Sequence, residues 1–176
     1  MRGQFEVHPG QFPSGYMGVF GQYVRGIDYL YRAIEQTSFS ADHCSYPILY
    51  LMRHALEVGL KANIQYMVEE GRQQTTLTLG RCHNLEKLCM EFRRLIEAQG
   101  ILKAEDLAYF QEEVQCIEHL IELMPSTSSF RYTEDRNGSK VFNHEMLDIA
   151  VMKTKFDRAY PLIAYTPAVL HEVNCR

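Results

Sequence analysis

A chain of 176 residues, 46% hydrophobic and 23% charged, has an ordinary globular composition and is long enough to bury a sizeable core in one domain. Its net charge of −4 excludes a broad basic footprint for nucleic acid and leaves only a local basic patch open. No apolar run reaches transmembrane length and MRGQFEVHPG lacks the apolar stretch of a signal peptide, so the expectation is a cytoplasmic protein with no membrane partner.

Residues 1–15, rich in Pro, Gly and Gln, read as an N-terminal arm, and residues 16–176 as a single helical domain. From Tyr16 a helical period appears in Phe20, Tyr23, Val24, Ile27, Leu30, Tyr31 and Ile34, with Arg25, Asp28, Arg32 and Glu35 on the other side. Tyr16, Tyr23, Tyr29 and Tyr31 give this helix more aromatic surface than one face needs, which predicts a homodimer. SFSADHC reads as a turn. Ser45, with Pro47 just inside, then starts a second helix that runs to about Glu70 and stops at Gly71.

That second helix is apolar at nearly every position from Tyr46 to Ala62, the mark of a central, buried helix. Arg53, His54, Glu57 and Lys61 nevertheless sit inside it, and with His83 they are expected to form a buried polar cluster. Arg53, Glu57 and Lys61 step by four residues and fall on one stripe in alternating sign. Charge rarely enters a core without a partner, so the stripe is either a cleft-lining site or an ion-pair ladder that fixes register.

GRQQTTLTLGRC is a polar connection with room for an extended piece. A third helix opens near Asn84, carries Leu85, Leu88, Phe92, Leu95 and Ile96, and ends at Gly100. A fourth follows Leu107, Phe110, Val114, Ile117, Ile121 and Met124, and Pro125 closes it. Two β-favouring pieces then flank Asn137-Gly138, the strongest two-residue hairpin signal. Asn143 is read as the cap of a fifth helix through Ile149, Met152, Phe156 and Tyr160, which Pro161 and Pro167 kink or divide. The sum is an all-α bundle of about five helices, with a small β-hairpin inserted before the last.

The hairpin brings Arg131, Tyr132, Arg136, Lys140 and His144 together near a helix N-terminus, a combination suited to an anion or phosphate. The other reading is a solvated hairpin with charged edges. Three His-x-x-Glu pairs, His54/Glu57, His83/Glu86 and His119/Glu122, are the candidate metal ligands. His119 lies about 200° round the helix from core position Ile117, which points it to solvent, so no metal and no cofactor are expected. The five scattered cysteines form no CxxC and read as reduced, packing thiols.

RHALEVGLKANI on the second helix, followed by HNLEKL opening the third, resembles the HEPN superfamily, with Ala55, Glu57, Lys61, Ala62, His83 and Leu85 at the matching positions. The resemblance implies an HEPN-like helical bundle, often dimeric, in a bacterial or phage setting. Related proteins are metal-independent endoribonucleases in toxin–antitoxin and phage-defence systems; others are silent partners of small nucleotidyltransferases, or bind nucleotides. Active members carry Arg then His after four to six residues, Arg for the phosphate and His for the proton. Here the only literal match is Arg2…His8, in the arm. Arg136…His144 stands in the expected place, one residue longer and interrupted by Asn137-Gly138. The expected function is therefore action on RNA or nucleotide-like anions, with binding ahead of cleavage. The alternative is a catalytically silent dimerisation or protein-interaction module. If the chain cleaves RNA, Arg136 and His144 are the expected catalytic pair, with Arg131, Tyr132 and Lys140 as anion contacts.

Overall fold

The computed structural model describes residues 15–37, 40–124 and 147–174. These form helices α1 (Tyr16–Gln36), α2 (Ser45–Glu69), α3 (Leu85–Ala98), α4 (Ala104–Leu123) and α5 (Ile149–Asn174), with a 3-10 turn at Ala41–His43. No strand occurs among the described residues, so the architecture there is all-α. The N-terminal arm to residue 14 and the expected hairpin lie outside the described residues.

Helix α2 is the hub. It packs against α1, α3 and α5, while α4 closes on α3 and α5. Its long apolar run supplies Ile48, Leu49, Met52, Ala55, Leu56, Leu60, Ile64 and Met67 to one continuous core. Phe20 and Ile27 of α1, Phe92 of α3, Ile117 of α4 and Phe156 of α5 complete it. Burial from several directions explains why no face of α2 is polar along its middle.

Local signals place the ends. The Asn84 side chain accepts from the Lys87 N–H and caps α3 as its sequence predicts. Gly100, at φ +63°, follows the Gln99 C-cap of that helix, in the left-handed conformation that glycine adopts without a Cβ penalty. Between α2 and α3, residues 71–80 alternate between half-buried and exposed, the period of an extended chain. The segment finds no strand partner among the described residues. Leu77 and Leu79 anchor it to the core instead, and the Gln73 side-chain amide donates to the Leu95 carbonyl.

Two expectations about α5 are corrected. Leu147 and Asp148 are non-helical, and Asp148 Oδ1 accepts from the Ala150 and Val151 N–H groups; Asp148, not Asn143, is the cap. Of the two effects expected of Pro161 and Pro167, a kink or a division, the division is excluded: both lie inside one continuous helix. Proline at 167 removes the donor that the Ile163 carbonyl would otherwise use. Buried Asn63 of α2 replaces it: its side-chain amide donates to the Ile163 carbonyl and to the Gly59 carbonyl, each at 2.9 Å. Gly59 makes this approach possible, because a Cβ there would stand 2.5 Å from Ile163 Cγ2 and 3.0 Å from Phe20.

Candidate functional site

The polar interior of α2 converges on Glu57. Its carboxylate is buried, with only 4% of the side chain exposed, and both groups bonded to it reach the same oxygen. Lys61, one turn later, donates from Nζ to Oε1 at 2.8 Å and is itself buried. His83 arrives from 26 residues away, just before the α3 cap, and places Nδ1 2.9 Å from Oε1. Oε2 has no hydrogen-bond partner among the described residues; His54 Nδ1 stands 4.0 Å from it. Two imidazoles thus flank one carboxylate.

Aromatic residues wall the His54 side. Tyr23 of α1 stacks on the His54 ring at 5.5 Å between centroids, and Tyr50 meets the same ring edge-on while its hydroxyl lies 2.8 Å from Nε2. Tyr16 lies under the Lys61 ammonium, 5.8 Å from ring centroid to Nζ. The interior is closed and the mouth is open: Glu57, Lys61 and Arg53 are buried, His54, Tyr23 and Tyr50 are partly covered, and the His83 side chain is 62% exposed.

Burial alone would raise the Glu57 pKa. Hydrogen bonds from Lys61 and His83, with their charges, outweigh it and hold the carboxyl below its usual range. The Tyr23 hydroxyl is pushed up by burial and by the nearby Tyr50 and Glu57. Arg53 departs from the expected ladder. Its Nη1 donates to the Met124 carbonyl at 2.6 Å, capping the end of α4 rather than pairing with Glu57, and its Nε has no hydrogen-bond partner among the described residues. Burial lowers its pKa, opposed by Glu57 and Glu86.

The stripe therefore does two jobs: Glu57–Lys61 is an ion pair, and Arg53 ties α2 to α4. His119 is exposed, as its position relative to Ile117 predicts. Among the described residues no group of three or more His, Cys, Asp or Glu is arranged to hold a metal ion. Cys44, Cys82, Cys89 and Cys116 carry free thiols; burial pushes Cys89 up to about 12, so it stays an unreactive thiol in the core. Arg131, Tyr132, Arg136, Lys140 and His144 lie outside the described residues.

Sequence reading missed several polar partners. Glu113 of α4 is buried and accepts from Arg158 Nε at 2.9 Å, while Arg158 also reaches Glu112 at 2.8 Å. Asn63 was hidden in an apolar run; Pro167, four residues beyond Ile163, was the available signal. Tyr23 read as an apolar-face and dimer-surface residue and Tyr50 as part of an apolar run, although the Tyr50 hydroxyl meets His54 and the Tyr23 hydroxyl lies near Tyr50 and Glu57.

Among the described residues no helix is long and apolar enough to cross a membrane. No protein-family model, curated protein or solved structure matches the chain.

Proposed function

We propose that this chain is an HEPN-like protein that binds RNA or nucleotide-like anions as a cytoplasmic homodimer, in bacterial or phage defence or a toxin–antitoxin system. The observation that supports the reading is the meeting of two distant motifs at one carboxylate. Glu57 and Lys61, from the helix motif, and His83, from just before the next helix, are three of the positions that carry the resemblance, and they meet at Glu57 Oε1. Phosphate contact is assigned to Arg131, Tyr132, Arg136 and Lys140 on their sequence pattern. His144 is the companion for any cleavage there.

A second reading has its own support. Glu57 and Lys61 are closed off from solvent and tied to each other, which suits a fixture that holds register in a silent interaction module. Such a module would partner a nucleotidyltransferase or another defence protein.

RNA binding measured against salt, with EDTA present, separates them. The first reading predicts log affinity falling linearly with log salt, and weaker binding in Arg136→Ala. Absence of RNA binding at low salt leaves the interaction module.

A further inference from the structure

Within the RNA reading, on which the choice of substrate rests, we propose that His83 is a catalytic general base, oriented by Glu57, that takes the proton of a ribose 2′-hydroxyl in RNA. Glu57 is its positioning residue.

The pair has the parts that proton transfer needs. An ionised carboxylate can only accept hydrogen bonds, so the 2.9 Å contact to Glu57 Oε1 puts the hydrogen on His83 Nδ1. In the neutral ring the lone pair then belongs to Nε2, at the far side of an imidazole that is 62% exposed. Nε2 makes no hydrogen bond to the described residues, whereas Nδ1 is held. The carboxylate is itself fixed by Lys61 on the rigid central helix, and the residue after His83 is the Asn84 cap of α3. Orientation is therefore set from two elements, and a preorganised base with an outward acceptor results.

The surroundings are mixed in charge. Lys61, His54 and Arg53 of α2 and Tyr23 of α1 act on Glu57; Glu86, in the first turn of α3, faces Arg53, and the Tyr50 hydroxyl meets His54. Lys61 shares the oxygen that holds His83, so the imidazole is oriented by a neutralised pair rather than by a bare anion.

The chemistry closes without a further reactant. His83 Nε2 takes the 2′-hydroxyl proton, and the freed oxygen attacks the adjacent phosphorus. The bond from phosphorus to the 5′-oxygen breaks, its electron pair goes to that oxygen, and the oxygen takes a proton from water. The hydroxide left behind is neutralised by the imidazolium, which restores the base. The products end in a 2′,3′-cyclic phosphate and a 5′-hydroxyl.

End-labelled single-stranded RNA, incubated in EDTA with wild type, His83→Ala, His144→Ala and the surface control His119→Ala, tests the assignment, with RNA affinity measured in parallel. Expected are cyclic-phosphate ends from wild type. His83→Ala should lose about 100- to 10,000-fold in rate at unchanged RNA affinity. Added imidazole should restore part of that loss, which a merely structural role for His83 would not allow. Wild-type cleavage persisting in His83→Ala, or lost only in His144→Ala, overturns the base. RNA binding by wild type without cleavage overturns it too, and leaves the binding function standing. Failure of wild type to bind RNA overturns both.

Discussion

A carbonyl deprived of its helical donor is what gives Asn63 its place at the centre of the molecule. Pro167 has no N–H for the Ile163 carbonyl, and the Asn63 amide on a neighbouring helix supplies one at 2.9 Å. Asn63→Ala should cost about 1–3 kcal/mol, the penalty of an unsatisfied buried acceptor. In a Pro167→Ala background, the alanine N–H serves the same carbonyl within α5, so the cost of Asn63→Ala should shrink. A thermodynamic cycle of the two substitutions by denaturant melts checks this, and strict additivity would show that the two residues are not coupled. Glu57 is legible in the sequence as a charge in an apolar run. Lys61 lies within one turn and follows from helical spacing; His83 is expected in the same buried cluster, and the fold does bring it to Glu57 Oε1, but with a side chain that is 62% exposed rather than buried. Arg53 illustrates the limit of the periodic argument. Four-residue spacing pointed it at Glu57, and its long side chain instead found the orphan carbonyl of Met124, 71 residues away, which no local pattern encodes.

At the level of elements, helix identity and most boundaries follow from apolar period and capping chemistry. The α2 start at Ser45, the Asn84 cap and the stop at Gly100 are examples. The start of α5 did not follow, because Asn143 and Asp148 are both good caps, and only the fold chooses between them. Nor did the continuity of α5 through two prolines, at one of which, Pro167, a donor from another helix serves the freed carbonyl. The close packing of α1, α2 and α5 turns on Gly59, where a Cβ would meet Ile163 and Phe20. Gly59→Ala should therefore destabilise by about 1–3 kcal/mol through overpacking, despite the better helix propensity of alanine. Chemical denaturation reads this directly, and a stabilised variant would show that the contact yields freely. By contrast, the Gly71–Gly80 connection keeps the two-residue burial period its β-branched sequence suggested, with side chains rather than a ladder to hold it.

For the whole molecule, the tyrosines that predicted a dimer are mostly occupied within the chain. Tyr23 stacks on His54, Tyr16 lies under Lys61 and Tyr31 lies under Lys153, while Tyr29 is 71% exposed. The proposed homodimer thus narrows to the Tyr29 side of α1. Light scattering at tens of micromolar should return twice the chain mass, and Tyr29→Ser should shift it toward the monomer. A monomeric wild type contradicts the dimer. The all-α architecture and the central place of α2 were both legible, since a helix apolar on every side has to be enclosed. The anion-binding residues expected at 131–144 lie outside the described residues; among the described residues the Glu57 cluster, Asn63 and Glu113 are buried polar centres.

The most direct measurement is the thermal stability of Glu57→Ala beside Glu70→Ala. Glu57 is buried against Lys61 and His83, whereas Glu70 is exposed at the end of α2. Removing Glu57 strands a buried lysine at a cost of about 3–5 kcal/mol, and should lower the melting temperature sharply or leave the protein insoluble. Glu70→Ala should melt with the wild type. Equal melting of the two variants would contradict a buried charged centre in α2.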